Sequence, residues 1–275
     1  MHKCNFRGVR ASSISYWAVL SAQFRTLLQY RAAALAGLGT QMFWGLIRVM
    51  IFQAFFRSAT AEQPMEIADV LTYVWLGQAF LALLPWNQDN DLRTLIRTGG
   101  VSYELLRPVD LYGFWYCRAL AFRTAPTLLR ALPLIAFAGL FMGMDAPASW
   151  GAAGSFAAAM IGAVLLSSAI TTLFSITMMW TISGDGVFAL APGVVGVLSG
   201  MFVPIPLFPD WAQTALNILP FRGLVDTPYR FYLGHIPASD LPLHLAHQLV
   251  WIAAIVLTGR WLLSRGLRRL VVQGG

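Results

Sequence analysis

Six apolar runs separated by short polar connections most constrain what this chain can fold into. They lie at about residues 32–56, 70–86, 119–144, 151–179, 186–203 and 243–263. A run of about 20 apolar residues matches the hydrocarbon thickness of a bilayer, where a helix satisfies every backbone polar group internally. Composition agrees: 57% of the 275 residues are hydrophobic and 11% are charged, against about a quarter charged in soluble domains. The expected fold class is therefore an all-α integral membrane protein, forming a single membrane domain over residues 1–275.

The connections set the expected orientation. Lys3, Arg7, Arg10, Arg25 and Arg31 precede the first run, and Arg93, Arg97, Arg107, Arg118 and Arg123 are counted with the connection between the second and third. Arg260, Arg265, Arg268 and Arg269 close the chain, whereas the opposite side holds Arg57, Arg222 and Arg230. The positive-inside rule then places both termini in the cytoplasm. The net charge of +7 is spread over the ends of apolar runs, which argues against a nucleic-acid face. Cys4 and Cys117 both fall on the cytoplasmic side, so no disulfide is expected. The first thirteen residues lack the apolar core of a signal peptide.

Residues 12–31 read as an amphipathic helix in the cytoplasmic interface, with Ile14, Trp17, Leu20, Phe24, Leu27 and Leu28 on one side and Ser12 or Ser13 as N-cap. Residues 87–118 form a polar cytosolic loop rich in arginine, read as a docking loop for a soluble partner. Within it Gly99 and Gly100 allow a sharp turn, Ser102 is expected to cap a short helix through Glu104, Leu105 and Leu106, and Pro108 ends it. Arg97 and Arg107 flank that foot. The plain alternative is an anchoring loop. Pro126 and Pro133 are expected to break the third run.

Two arginines lie within apolar runs, where a charge is costly and marks a functional candidate. Arg130 is near the centre of the third run, and Arg48 is close enough to an end to snorkel. Residues 204–242 are too apolar for an ordinary loop and too interrupted to span. They read as an external re-entrant hairpin, with Pro204, Pro206, Pro220, Phe221 and Arg222 at a gate; an interfacial aromatic belt is the alternative. Asp240, His244 and His247 share one helix face, but an N-cap followed by a proline explains Asp240 better than metal ligation does. Gly154, Ala158 and Gly162 form a small-residue face suited to close helix packing.

Several activities lack their residues. The only lysine, Lys3, is followed by Cys4, so no P-loop is present. No cofactor, metal ligand set or catalytic nucleophile is expected in this chain.

The motif Thr98-Gly-Gly-Val-Ser-Tyr-Glu-Leu-Leu-Arg-Pro-Val-Asp110, the run from Pro204 to Pro209 with Pro220-Phe221, and the ending from Gly266 to Gly275 resemble the permease subunits of type 2 ABC exporters. The likeness is nearest to the bacterial viologen-exporter-like permeases. The resemblance implies a permease in the bacterial cytoplasmic membrane, paired with a second permease chain, identical or related. It further implies two separate cytosolic ATPase subunits that bind ATP and magnesium and rest on Thr98 to Arg107, with the external gate after residue 203. An apolar lining suggests an amphipathic or lipid-like substrate. An ion-coupled secondary transporter and an intramembrane enzyme remain the alternatives, weakened by the absence of internal repeats and of acidic residues well inside a run.

Overall fold

The computed structural model describes residues 13–29, 31–60, 62–87, 89–107, 109–180 and 185–268. Lys3, Cys4, Ser12, Pro108 and the last seven residues lie outside these ranges. All regular structure among the described residues is helical. In order the helices are α1 (Ser13–Leu28), α2 (Arg31–Ser58), α3 (Ile67–Ala79), α4 (Asn90–Arg97), α5 (Val101–Glu104), α6 (Leu111–Phe141), α7 (Trp150–Thr177), α8 (Asp185–Leu198), α9 (Asp210–Ile218), α10 (Asp226–Tyr232) and α11 (Leu241–Leu267). Short 3-10 turns occur at Leu81–Leu83, Ile205–Leu207, Pro220–Leu224 and Ala238–Asp240.

Each of the six apolar runs falls on a helix, but the helices differ in reach. Leu111–Phe141, Trp150–Thr177 and Ala238–Leu267 are long and apolar enough to cross a membrane. By contrast α3 has 13 residues and α8 has 14. At 1.5 Å per residue each is about 20 Å long, short of a hydrocarbon core of about 30 Å. The second run stops being helical at Phe80 and turns through Leu81–Leu83. That turn is deep in the protein, so its carbonyls need partners. Ser167 on α7 donates to Leu83 O, and Arg123 on α6 donates to Leu84 O at 2.6 Å and to Asn87 O.

The third run also differs from expectation. Helix α6 begins at Leu111, capped by Asp110 accepting from Gly113 N at 2.9 Å, so residues 111–118 are helix and not loop. Pro126 and Pro133 sit inside it without ending it. Nearby hydroxyls take up carbonyls along the same stretch: Thr124 donates to Leu120 O at 2.8 Å and Thr127 to Arg123 O at 2.6 Å.

Helix α7 is the centre. It is the most buried of the three long helices and packs against α6, α10 and α11. Tyr73, Trp75 and Leu76 of α3, Leu134 of α6, Leu166 of α7 and Tyr229 of α10 make the main core, each at most 1% exposed. Residues 72–79 of α3 are buried on all sides, so its uniform apolarity reflects an interior position and not contact with lipid. Of the two glycines on the small-residue face, Gly162 is the one that meets another helix closely. A Cβ there would lie 2.0 Å from Gln248 Oε1 on α11, whereas one on Gly154 meets nothing within 4 Å.

A second apolar cluster joins Leu92 and Val101 from the loop to Leu111, Phe114 and Trp115 of α6, Ile176 of α7 and Leu263 of α11. Helix α1 lies along α6, with the Tyr16 ring over the bare backbone of Gly113 and Trp17 turned outward. The connection between α3 and α6 is thus anchored at Leu92 and Val101, while Tyr103, Leu105, Leu106 and Arg107 stay exposed.

Candidate functional site

The polar connection between α3 and α6 is a folded foot. Its first helix, α4, is capped by Asp89, which accepts from Asp91 N at 3.1 Å and Leu92 N at 3.2 Å. Arg118 of α6 holds the same carboxylate through Nε and through Nη2 at 2.9 Å, and reaches Asp91 Oδ2 at 3.2 Å. A planar fork on a carboxylate fixes direction as well as distance. The foot's start is therefore tied to α6.

After Arg97 the chain reverses. Gly99 has φ +73, a left-handed conformation that disfavours any residue with a Cβ. Gly100, at an ordinary φ, occupies the N-cap position of α5. Ser102 is not the cap: its Oγ donates to Gly99 O at 3.0 Å and so braces the turn from inside the helix. A donor hydroxyl at the second helical position has a carbonyl within reach and no free N–H ahead of it, which is why the spacing misled.

Helix α5 is one turn long and pinned by its buried side. Val101 is fully buried, and Glu104, 6% exposed, accepts from Trp115 Nε1 at 2.7 Å. The other side carries an exposed apolar ledge: Tyr103 is 76% exposed, Leu105 45% and Leu106 82%. Arg107 lies over the Phe114 ring at 5.1 Å, and Arg97 is exposed at the end of α4. Beside the ledge a groove of about 480 Å³ runs between Val19, Gln23 and Thr26 of α1 and Gly100, Tyr103 and Arg107 of the foot. Exposed apolar side chains and a basic rim thus lie together on one surface of the foot.

The gate candidates fall into two separate places. Arg48 is held by backbone carbonyls. Its Nη2 donates to Met201 O and, at 3.0 Å, to Phe202 O, carbonyls left free where α8 ends. Pro204 and Pro206 form the turn that follows, and Ile205 N donates to Asp226 Oδ1 at 3.2 Å. Asp226, 1% exposed, also accepts from Tyr73 Oη at 3.4 Å and pairs with Arg230 at 3.7 Å. Burial pushes its carboxyl above the usual range, against the pull of Arg230 and of the Ile205 N–H. Pro220, buried, opens the turn that carries Phe221 and Arg222. Arg222 donates to Asn217 Oδ1 at 2.9 Å and to His244 Nδ1 at 2.7 Å.

Arg130 is elsewhere. Its guanidinium lies on the bare backbone of Gly37 in α2, where a Cβ would come within 2.6 Å, and its Nε is buried without a hydrogen-bond partner among the described residues. His247 Nε2 faces Ile218 O at 3.1 Å, and Asp240 precedes α11 without making a side-chain cap bond. No group of three potential metal ligands occurs among the described residues.

The residue that sequence reasoning missed is Arg123. Counted among loop cations, it is 1% exposed and bonds Leu84 O, Asn87 O and, at 3.0 Å, Thr171 Oγ1. Its position inside the third apolar run was the available signal. A family model described as ABC-2 family transporter protein matches residues 42–274, from within α2 to one residue before the C-terminus. No curated protein and no solved structure matches the chain.

Proposed function

The chain belongs to the ABC-2 family of transporter proteins, and on that premise we propose that it is the permease half of an ATP-driven exporter. As a member of that family it is a multi-pass membrane transport component of an ABC transporter, and in this reading separate ATPase partners carry the nucleotide chemistry. The chain has no P-loop lysine of its own.

In this reading six helices, α2, α3, α6, α7, α8 and α11, make the membrane part, both ends face the cytoplasm, and the membrane is a bacterial inner membrane. The foot at Thr98 to Arg107 takes the push of two cytosolic ATPase subunits. Its tie to α6 through Arg118 and Asp89 carries that push into a 31-residue helix. A second permease chain covers the outward apolar side chains of α2, where Phe43, Trp44, Met50 and Ile51 are each more than half exposed. The path between the two chains opens outward past the Pro204 and Pro220 turns to release an amphipathic or lipid-like substrate.

The observation that carries this reading is the ledge: Tyr103 on α5 and Leu106 just after it stand in the open, while the other side of α5 is buried and hydrogen-bonded. Solvated loops rarely hold large apolar residues so rigidly without a partner. Leu106→Asp is expected to abolish co-purification of the ATPase while leaving the melting temperature of the permease within a few degrees of wild type. Unchanged association would remove the docking assignment.

A further inference from the structure

On the opposite end of the molecule from the foot, a cavity of about 380 Å³ lies among α9, the Pro220–Leu224 turn, α10 and the start of α11. Arg222, Arg230, His235, His244, Asn217 and Asp240 line it. Its two arginines are paired differently. Arg230 pairs with Asp226, and His235 Nε2 meets Asp69 Oδ2 at 2.6 Å. Arg222 is half-buried and has no carboxylate within 4.0 Å among the described residues; its two hydrogen bonds go to neutral acceptors. Because a guanidinium can only donate, His244 Nδ1 must be the acceptor, which leaves the proton on Nε2 and the ring uncharged.

Buried donors remain on both arginines. Arg222 Nε and Arg230 Nε are shielded from solvent and have no hydrogen-bond partner among the described residues. A shielded donor without an acceptor is costly to hold, and Asp226, whose charge acts on both arginines, pairs directly with Arg230 alone. Asp240 is exposed at the rim and accepts from Ser239 Oγ at 3.1 Å. The amino end of α11, a helix of 27 residues, adds its positive dipole to the same rim.

We propose that this cavity binds a phosphate-type oxyanion, held by Arg222 and Arg230 with His244 orienting Arg222. Two guanidinium forks suit the several acceptor oxygens of a phosphate better than a point anion. The surroundings favour a phospholipid headgroup as its source. Trp211 and Ile218 on α9 and Leu243 on α11 are 79%, 65% and 71% exposed, which gives apolar flanks for acyl chains beside a cationic socket. The inference rests on these residues and not on the transport reading.

The test uses the full-length protein in an uncharged detergent, with native mass spectrometry of retained phosphatidylglycerol or diacylglycerol. Wild type is expected to retain phosphatidylglycerol and not diacylglycerol. Arg222→Gln lowers apparent affinity roughly tenfold, the effect of losing one charged fork, and Arg57→Gln at the exposed end of α2 leaves it unchanged. Asn217→Asp keeps the acceptor for Arg222 and supplies an internal counter-charge, so it folds at least as stably and also loses the lipid. If Arg222→Gln does not fold, this second variant decides. Melting curves in millimolar inorganic phosphate separate the sources: a wild-type shift that Asn217→Asp abolishes means that the oxyanion alone suffices, and no shift alongside retained phosphatidylglycerol means that a lipid headgroup is required. Equal retention of phosphatidylglycerol by wild type and Asn217→Asp, or retention of diacylglycerol as strong as that of phosphatidylglycerol, overturns the proposal.

Discussion

Arg118 of α6 and the backbone of α4 share one carboxylate, that of Asp89. The side chain receives the Asp91 and Leu92 N–H groups from one side and the Arg118 fork from the other, at 2.9 Å through Nη2. A single residue thus caps a helix in the foot and fastens that helix to the longest helix of the molecule.

This sharing makes a graded prediction. Asp89→Ala removes cap and ion pair together and is expected to destabilise by about 2–4 kcal/mol, given side chains only 14% and 10% exposed. Asp89→Asn keeps an acceptor for the cap and should cost about 1 kcal/mol less. Thermal unfolding of the two variants in detergent checks this. Coincident curves would mean that the cap contributes nothing.

Arg123 should tolerate no replacement. Its three contacts diverge toward Leu84 O, Asn87 O and Thr171 Oγ1. Arg123→Lys supplies a point charge where a fork is needed, and Arg123→Leu orphans the buried carbonyl of Leu84. A loss of about 3–5 kcal/mol is expected for Arg123→Leu, read as a drop in monodisperse yield and melting temperature. Arg97→Leu, at an exposed position, serves as the control.

The two glycines of the small-residue face should behave oppositely. Gly162→Ala drives a methyl into Gln248, whose amide is already committed to Ala159 O at 3.0 Å and Gly223 O at 2.8 Å. Overpacking of this kind costs about 1–3 kcal/mol. Gly154→Ala meets nothing and removes a flexible residue from a helix, so it is neutral or stabilising by up to about 1 kcal/mol. The order of the two melting temperatures is the measurement.

Asp226 gives the fold a pH dependence of definite sign. Its folded-state carboxyl is raised by burial, so the folded protein takes up this proton before the unfolded chain does. The stabilisation from protonation is complete below the unfolded value of about 4 and is lost as pH rises through the folded value. Asp226→Asn lacks this titration. The wild-type melting temperature relative to Asp226→Asn is therefore expected to fall as pH increases from about 4 to 7; a rising difference would contradict the assignment.

Much of the helix order was legible because apolar periodicity survives any tertiary arrangement. Each apolar run lies on a helix, and Gly99 takes the positive φ that a sharp reversal requires. The reach of the helices was less legible. The second run contains enough apolar residues to span, yet Leu81–Leu83 leaves the helix because Arg123 and Ser167 satisfy the freed carbonyls from α6 and α7. Nothing local to residues 70–86 announces partners that lie 36 to 84 residues away.

The arginines show the same division. Arg48, Arg123 and Arg130 look alike in the sequence, as lone cations in apolar runs. One holds the end of α8, one holds the turn after α3, and one lies against Gly37. Their roles differ because a guanidinium takes its meaning from the acceptors that other helices bring to it.

By itself the sequence determined a membrane class, from the scarcity of charge and the length of the apolar runs, and it marked a polar, arginine-bearing connection. Both follow from composition along the chain, which needs no partner to be read. Only tertiary structure decided which runs remain helical for a full crossing, which face of α5 is free, and where the buried cations find their acceptors. Those outcomes depend on hydrogen bonds and packing between residues distant in the chain, and such pairings leave no periodic trace in the order of the amino acids.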